Sequence, residues 1–172
     1  MNWITMTLDE LNAASTENFV DMLAGIFEHS PWVPEGVADM RPFASVEQLH
    51  AAMVGVVDKA GQVAQLGLIR AHPDLAGKAA RQGNLTTSST SEQKGAGLDR
   101  LTDEEFDEFH ALNNAYQSRF GFPFILAVRG HDKHSIMAAF RKRLENNSGE
   151  EVQEALHQIG QIARFRLEDL IS

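Results

Sequence analysis

His72 stands between Ala71 and Pro73 in the stretch Arg70-Ala71-His72-Pro73-Asp74-Leu75, and Glu92 lies in Ser88-Ser89-Thr90-Ser91-Glu92-Gln93 beyond a polar connector. An imidazole titrates near neutrality, so a histidine fixed beside a proline is a candidate for moving protons in catalysis. A carboxylate close to it would add a second acid/base group, and a guanidinium would hold an anionic substrate. The guanidinium candidate is Arg166, which shares the apolar arc of the last helical segment with Val152, Leu156, Ile159, Ala163, Leu167 and Leu170, whereas Arg164 points away. An arginine on such a face needs an anionic partner, since burying it unpaired costs several kcal/mol. Otherwise its stem must snorkel to water. Each candidate has a plainer reading. His72 is one of seven histidines and can be structural, Glu92 is third after Ser89 and can simply cap a helix, and Arg166 can be a buried pair with Glu92 or another acid.

Other chemistry finds less support. His131-Asp132-Lys133-His134 places two imidazoles one helical turn apart, but no third ligand follows at fixed spacing and no H-E-x-x-H is present. No phosphate loop, dinucleotide fingerprint or G-x-S-x-G elbow occurs. With no cysteine there is no disulfide, zinc-thiolate site or thiol nucleophile. A net charge of -9 offers no basic surplus for nucleic acid, and the short run Arg141-Lys142-Arg143 reads as a solvated helix face. No signal peptide and no apolar run long enough for a bilayer are evident, so the expectation is a soluble, cytoplasmic protein with no membrane partner.

The elements that must position these groups read as helices. At 172 residues, 43% apolar and 23% charged, the expectation is a single all-α domain spanning 1–172, of roughly seven to nine helices. Thr7 caps a short turn to Asn12. A helix from Ser15 carries Phe19, Met22, Leu23, Ile26 and Phe27 and ends by Ser30. Pro31-Trp32-Val33-Pro34 and Arg41-Pro42-Phe43 are rigid connectors whose aromatics plug the core. Ser45 and Gln48 form a capping box, followed by a stripe of Leu49, Ala52, Met53, Val56, Val57 and Ala60. Past Gly61, Val63, Leu66 and Ile69 continue as a helix that must stop near Ala71 because Pro73 follows. Ser89 with Glu92, Thr102 with Glu105, and Ser148 with Glu151 have the spacing of three further capping boxes. Phe106, Phe109, Asn113, Tyr116 and Phe120 share one side of a helix closed by Gly121. Ile136, Met137, Phe140 and Leu144 mark another helix. The apolar run from Phe122 to Val128 is a buried helix start or an extended segment. The connector 76–88 should be most mobile from Lys78 to Thr87.

Ala71-His72-Pro73-Asp74-Leu75, Ser89-x-x-Glu92-Gln93-x-x-Ala96-Gly97-Leu98 and Phe120-Gly121-Phe122-Pro123-Phe124-Ile125 do more than spacing can. With Ser30-Pro31-Trp32, Arg41-Pro42-Phe43 and Arg166-Leu167, they closely resemble the OHCU decarboxylase family over nearly the whole chain. OHCU is 2-oxo-4-hydroxy-4-carboxy-5-ureidoimidazoline, the last intermediate between urate and (S)-allantoin. The resemblance implies a wholly helical homodimer that decarboxylates OHCU without a cofactor or metal. By motif, His72 is the catalytic acid/base, with Glu92 and Arg166 completing the set. Pro73 lines the site, and Ser89, Thr90, Ser91, Glu92 and Gln93 contact the substrate. Phe124, Ile125, Leu126, Ala127 and Val128 offer backbone groups to the imidazoline and ureido atoms. Animal and plant members commonly end in a peroxisomal signal; Asp169-Leu170-Ile171-Ser172 is none, which implies a cytoplasmic version. Two rivals remain at this level, a helical module that binds a partner through an apolar groove and a metal-dependent hydrolase built on His131 and His134. The expectation to test is that His72, Glu92 and Arg166 converge on one small-molecule cavity.

Overall fold

The computed structural model describes residues 5–77 and 83–172. Among them every regular element is helical, nine α-helices and one 3-10 turn, with a single isolated bridge between Met6 and Ile171. The chain forms two compact units, Met1–Ala71 with Gly160–Ser172, and His72–Ile159.

The first unit holds α1 (Leu8–Ala13), α2 (Thr16–Met22), α3 (Trp32–Val37), a 3-10 turn (Ala38–Met40), α4 (Val46–Lys59) and α5 (Gln62–Ala71). It also holds the C-terminal part of α9 (Ser148–Leu170). Polar caps start the early helices as expected, with Thr7 accepting from Glu10 N–H and Ser15 from Asn18 N–H, both at 3.1 Å. Leu11, Phe19, Leu23, Val33, Val37, Leu49, Met53, Ile69, Ala163 and Leu167 are completely buried and make this unit's core.

Several expectations need correcting. Phe19, Leu23, Ile26 and Phe27 of the stripe are buried and Met22 is half-buried, yet α-helical bonding ends at Met22; the chain then proceeds through turns closed by Ile26 N–H to Leu23 O and Ser30 N–H to Phe27 O. Residues 31–34 are not a connector. Pro31 is the N-cap of α3 and Pro34 lies in its first turn, where a missing N–H removes no helical hydrogen bond. Phe43 plugs the core as expected, whereas Trp32 is only half-buried. Ser45 caps α4, but Gln48 Oε1 accepts from Ala44 N–H rather than closing the box on Ser45. Of the apolar residues that marked the helix past Gly61, Val63 is 89% exposed, and Leu68 and Ile69 are the buried residues of α5.

The second unit holds α6 (Thr87–Gly95), α7 (Asp103–Phe120), α8 (Lys133–Arg143) and the N-terminal part of α9. Its core is aromatic: Tyr116 meets Phe122 and Phe124 edge-on, and Phe124 stacks on Phe140 with ring centroids 3.8 Å apart. The capping box at Thr102 and Glu105 forms as read, and Gly121 closes α7 at φ 78, a left-handed value that glycine adopts without steric cost. Glu105 also meets Lys133 Nζ at 2.6 Å. The hydrogen bond from Lys133, then that from Thr102 N–H, draws the Glu105 carboxyl down from 4.5 to about 2. Its folded pKa lies below its unfolded one, so the stabilisation is present above pH 4.5 and is lost as pH falls toward 2. Glu105→Gln is expected to flatten the acid limb of the stability profile in that window, as read from thermal melts between about pH 5 and 2.

Candidate active site

Pro73 cannot continue a helix and disfavours helical backbone before it, so α5 ends at Ala71 and His72 falls where the chain turns. His72 is 7% exposed. The turn after it is tied down from two helices. Gln93 on α6 uses both ends of its amide, Oε1 accepting from Ala76 N–H at 2.9 Å and Nε2 donating to Asp74 O at 3.3 Å. Asn113 on α7 donates from Nδ2 to Leu75 O at 2.9 Å. This clasp holds Ala76 at φ 53, in the left-handed region that a residue with a Cβ seldom occupies. Gly77 is needed for a different reason, because a Cβ there would meet Asp74 Cβ at 2.8 Å. Burial pushes the Asp74 carboxyl up, against an opposing pull from His110.

Gln93 thus acts on the backbone of the His72 turn, a role distinct from the substrate contact that the resemblance assigns it. Gln93→Met keeps the volume and removes both bonds, leaving Ala76 N–H and Asp74 O without their partners. The expected loss is about 1–3 kcal/mol of stability. Hydrogen exchange at Ala76 should accelerate in step, and unchanged protection there would mean that the clasp carries no load.

α6 starts earlier than its sequence suggests. Thr86 is the N-cap, accepting from Ser89 N–H at 3.2 Å, so Ser89 lies inside the first turn and Glu92 is not its capping partner. Ser89 and Gln93, four residues apart, form the buried face of α6; Ser91 and Glu92 are half-buried and Thr90 is exposed. Residues 78–82, half of the segment expected to be mobile, lie outside the described residues; Thr87, at its far end, opens α6. A cavity of about 390 Å³ in this unit is lined by Ala76, Thr90, Gln93, Lys94, Leu98 and Phe106, among others. It shares Gln93 with the clasp, but His72, Glu92 and residues 124–128 do not line it.

The apolar run 122–128 is extended, resolving the two forms left open, and all of it except Ala127 is buried. Its backbone is anchored from behind: Arg143 Nη1 donates to Ile125 O, and Ala127 N–H donates to Gln158 Oε1 at 3.0 Å. α7 links this run to the His72 turn. Asn113 grips the turn, and Tyr116, three residues on, packs on Phe122 and Phe124. Three residues of helix rise only about 4.5 Å. One helix face therefore fixes both the histidine turn and the extended run.

The anchor exposes two misreadings. Arg143 is not part of a solvated face, being 7% exposed while Arg141 and Lys142 are exposed. Its spacing from Ile136 and Phe140 already put it on their buried side. Glu151 does not cap α9 from Ser148. Asn147 and Glu150 exchange that pair of bonds one residue earlier, and Glu151 is fully buried, accepting from Tyr116 O–H, Arg143 Nε and Asn146 Nδ2. Burial, then the bond to Glu151, pushes the Tyr116 hydroxyl far above its ordinary pKa, so it stays a donor.

Arg166 lies in the first unit, where Nη2 donates to Glu28 Oε1 and Nη1 to Gly25 O, each at 2.9 Å. The anionic partner that its position demanded is present in Glu28. Both side chains are almost wholly buried, 6% and 1% exposed. Arg164 is exposed and pairs with Glu168, as its position on the wheel required. His131 Nδ1 lies 2.9 Å from Ser135 Oγ, and Asp132 caps α8. Among the described residues no group of three or more His, Cys, Asp or Glu side chains is placed to hold a metal ion.

Comparison with known proteins extends this picture. The OHCU decarboxylase family matches residues 12–168. A Bacillus subtilis uric acid degradation bifunctional protein, PucL, is 46% identical over 96% of this chain, which spans 33% of that protein. A Haloferax volcanii 2-oxo-4-hydroxy-4-carboxy-5-ureidoimidazoline decarboxylase is 39% identical over 97% of both chains. Among solved structures, a crystal structure of (S)-allantoin synthase superposes with a TM-score of 0.78 at 34% identity, over 96% of this chain and 54% of that one. A crystal structure of OHCU decarboxylase in the presence of (S)-allantoin shares the fold, with a TM-score of 0.70 at 19% identity over 91% of this chain and 98% of that one. The chain thus spans about a third of the Bacillus protein and about half of the synthase chain. With the family match running from α1 into α9 and the full-length likeness to the Haloferax enzyme, this chain belongs to the OHCU decarboxylase family.

Proposed function

We propose that this chain decarboxylates OHCU to (S)-allantoin, with residues 72–159 carrying the acid/base and backbone groups. The observation that supports this most is the fixed turn of His72, buried, proline-locked and clasped by Gln93 and Asn113 on the same framework that holds residues 124–128. In OHCU the carboxylate sits on a carbon that also bears a hydroxyl and adjoins a C=N carbon. When the C–C bond breaks, its electron pair forms a C=C bond to that neighbour and the C=N pair moves onto nitrogen, which takes a proton. The hydroxyl then gives up its proton to become a carbonyl, and the ureido-bearing carbon accepts one. One CO2 leaves and, overall, one proton is taken up.

The substrate is its own electron sink. The protein must hold the ring, manage the hydroxyl proton and deliver a proton to one face of the new stereocentre. His72 is the acid/base for these transfers and Glu92 its companion. Pro73, Ser89, Thr90, Ser91 and Gln93 border the substrate, and Phe124, Ile125, Leu126, Ala127 and Val128 present backbone groups to it. Arg166 is the cationic member assigned by family likeness, with its charge matched by Glu28. The reaction is treated as cofactor-free, and the active form as a cytoplasmic homodimer. Among the described residues no helix is long and apolar enough to cross a membrane.

The test is to generate OHCU in situ from urate and follow its loss with the optical activity of the product, with and without EDTA. Accelerated loss with one enantiomer, insensitive to EDTA, is expected. Loss at the spontaneous rate would overturn the reading, and abolition by EDTA would favour the metal-dependent rival.

A further inference from the structure

Decarboxylation as written above makes no use of the buried cluster of Tyr116, Arg143 and Glu151. Glu151 is fully buried, with Oε1 accepting from Tyr116 O–H and from Arg143 Nε at 2.9 Å, and Oε2 accepting from Asn146 Nδ2 at 2.9 Å. A carboxylate loaded in this way neutralises Arg143 and sets the plane of its fork. Nη1 then reaches the Ile125 carbonyl, with the guanidinium carbon 4.4 Å from the centroid of the Phe124 ring. Nη2 is buried with no acceptor among the described residues, so the cluster does not saturate the guanidinium.

We propose that Arg143 is a positioning residue: by gripping the Ile125 carbonyl it orients the Ile125–Leu126 peptide so that the Leu126 N–H meets a carbonyl or carboxylate oxygen of the bound ureidoimidazoline. The proposal rests on the decarboxylase reading and deepens it. A trans peptide is planar with its N–H opposed to its C=O, and among the described residues the cis bond is at Arg41–Pro42. With the carbonyl turned toward Arg143, the Leu126 N–H faces the other way, and it has no acceptor among the described residues. Buried backbone donors are nearly always matched, and a substrate oxygen is the match this one lacks. The next peptide is committed elsewhere, Ala127 N–H donating to Gln158. A cation on the carbonyl also polarises the amide, which strengthens its N–H as a donor.

The experiment measures kinetics on OHCU generated in situ, with thermal melts, for R143K, for the double variant R143M/E151M and for Y116F. Lysine keeps the charge but cannot hold two acceptors in a planar fork. The double variant removes both buried charges together, a change that proteins often tolerate, and so guards against R143K failing to fold. R143K and R143M/E151M are expected to raise KM about tenfold, the scale of one charge-assisted hydrogen bond, with kcat within about threefold of wild type. Y116F leaves the Arg143–Ile125 bond in place and should keep the wild-type KM. In wild type the Leu126 amide proton should move downfield on adding (S)-allantoin, and this response should be absent in R143K. A folded R143K or double variant with wild-type KM, or a Leu126 amide indifferent to allantoin in an active wild type, overturns the assignment alone. A wild-type protein that neither turns over OHCU nor binds allantoin overturns the decarboxylase reading and this assignment with it.

Discussion

Replacing His72 by alanine is expected to slow OHCU turnover by about 10²–10⁴-fold, the usual worth of a positioned general acid/base. The effect should fall on kcat, because the groups expected to hold the substrate lie on α6 and on residues 124–128, which the change leaves in place. The fold should persist. His72 follows the last turn of α5, and the turn after it is held through the backbone of Asp74, Leu75 and Ala76. A His72→Ala protein with wild-type kcat would remove the histidine from the chemistry, whatever its surroundings.

Replacing Glu28 by alanine should give the largest loss of stability. Glu28 is a carboxylate paired with Arg166, both side chains are almost entirely out of water, and the substitution breaks this buried pair from one side. Breaking a buried pair from one side costs about 3–5 kcal/mol. For a chain of this length that corresponds to a fall in Tm of about 6–20 °C. Removing both charges, as in Glu28→Leu with Arg166→Met, should recover much of the loss, since the penalty lies in the orphaned charge rather than in the missing attraction. A Glu28→Ala protein melting within about 2 °C of wild type would mean that water reaches the pair, contrary to its burial.

Local rules carried far in this chain, and their failures share a cause. Thr7, Ser15 and Thr102 each precede a clear apolar period, so their caps were legible. α6 has no such period. Thr86, Thr87, Ser88, Ser89, Thr90 and Ser91 offer six hydroxyls in a row, and only the backbone decides which of them caps. The same competition misplaced Glu151, because Asn147 and Glu150 repeat the capping spacing one residue ahead of Ser148 and Glu151. Pro31 and Pro34 read as breakers although a helix tolerates proline in its first turn. The demand for an acid beside Arg166 could be read from the helical wheel, but its identity could not, since Glu28 is 138 residues away. Arg143 was lost to its neighbours: beside Arg141 and Lys142 it looks like one more surface charge, while its spacing from Ile136 and Phe140 says otherwise. The substrate-contact residues on α6 and at 124–128 came from motif resemblance. Spacing alone suggested His72, Glu92 and Arg166 but could not show that Gln93 holds the turn that follows His72.

Chirality is where protein and spontaneous chemistry part most clearly, because OHCU decarboxylates unaided and an uncatalysed proton arrives on either face. The decisive measurement is the circular dichroism of allantoin formed from in situ OHCU by wild-type protein and by His72→Ala, recorded at equal conversion. The account predicts (S)-allantoin from wild type and a racemic product from the variant. A variant that still yields (S)-allantoin at the wild-type rate would contradict it.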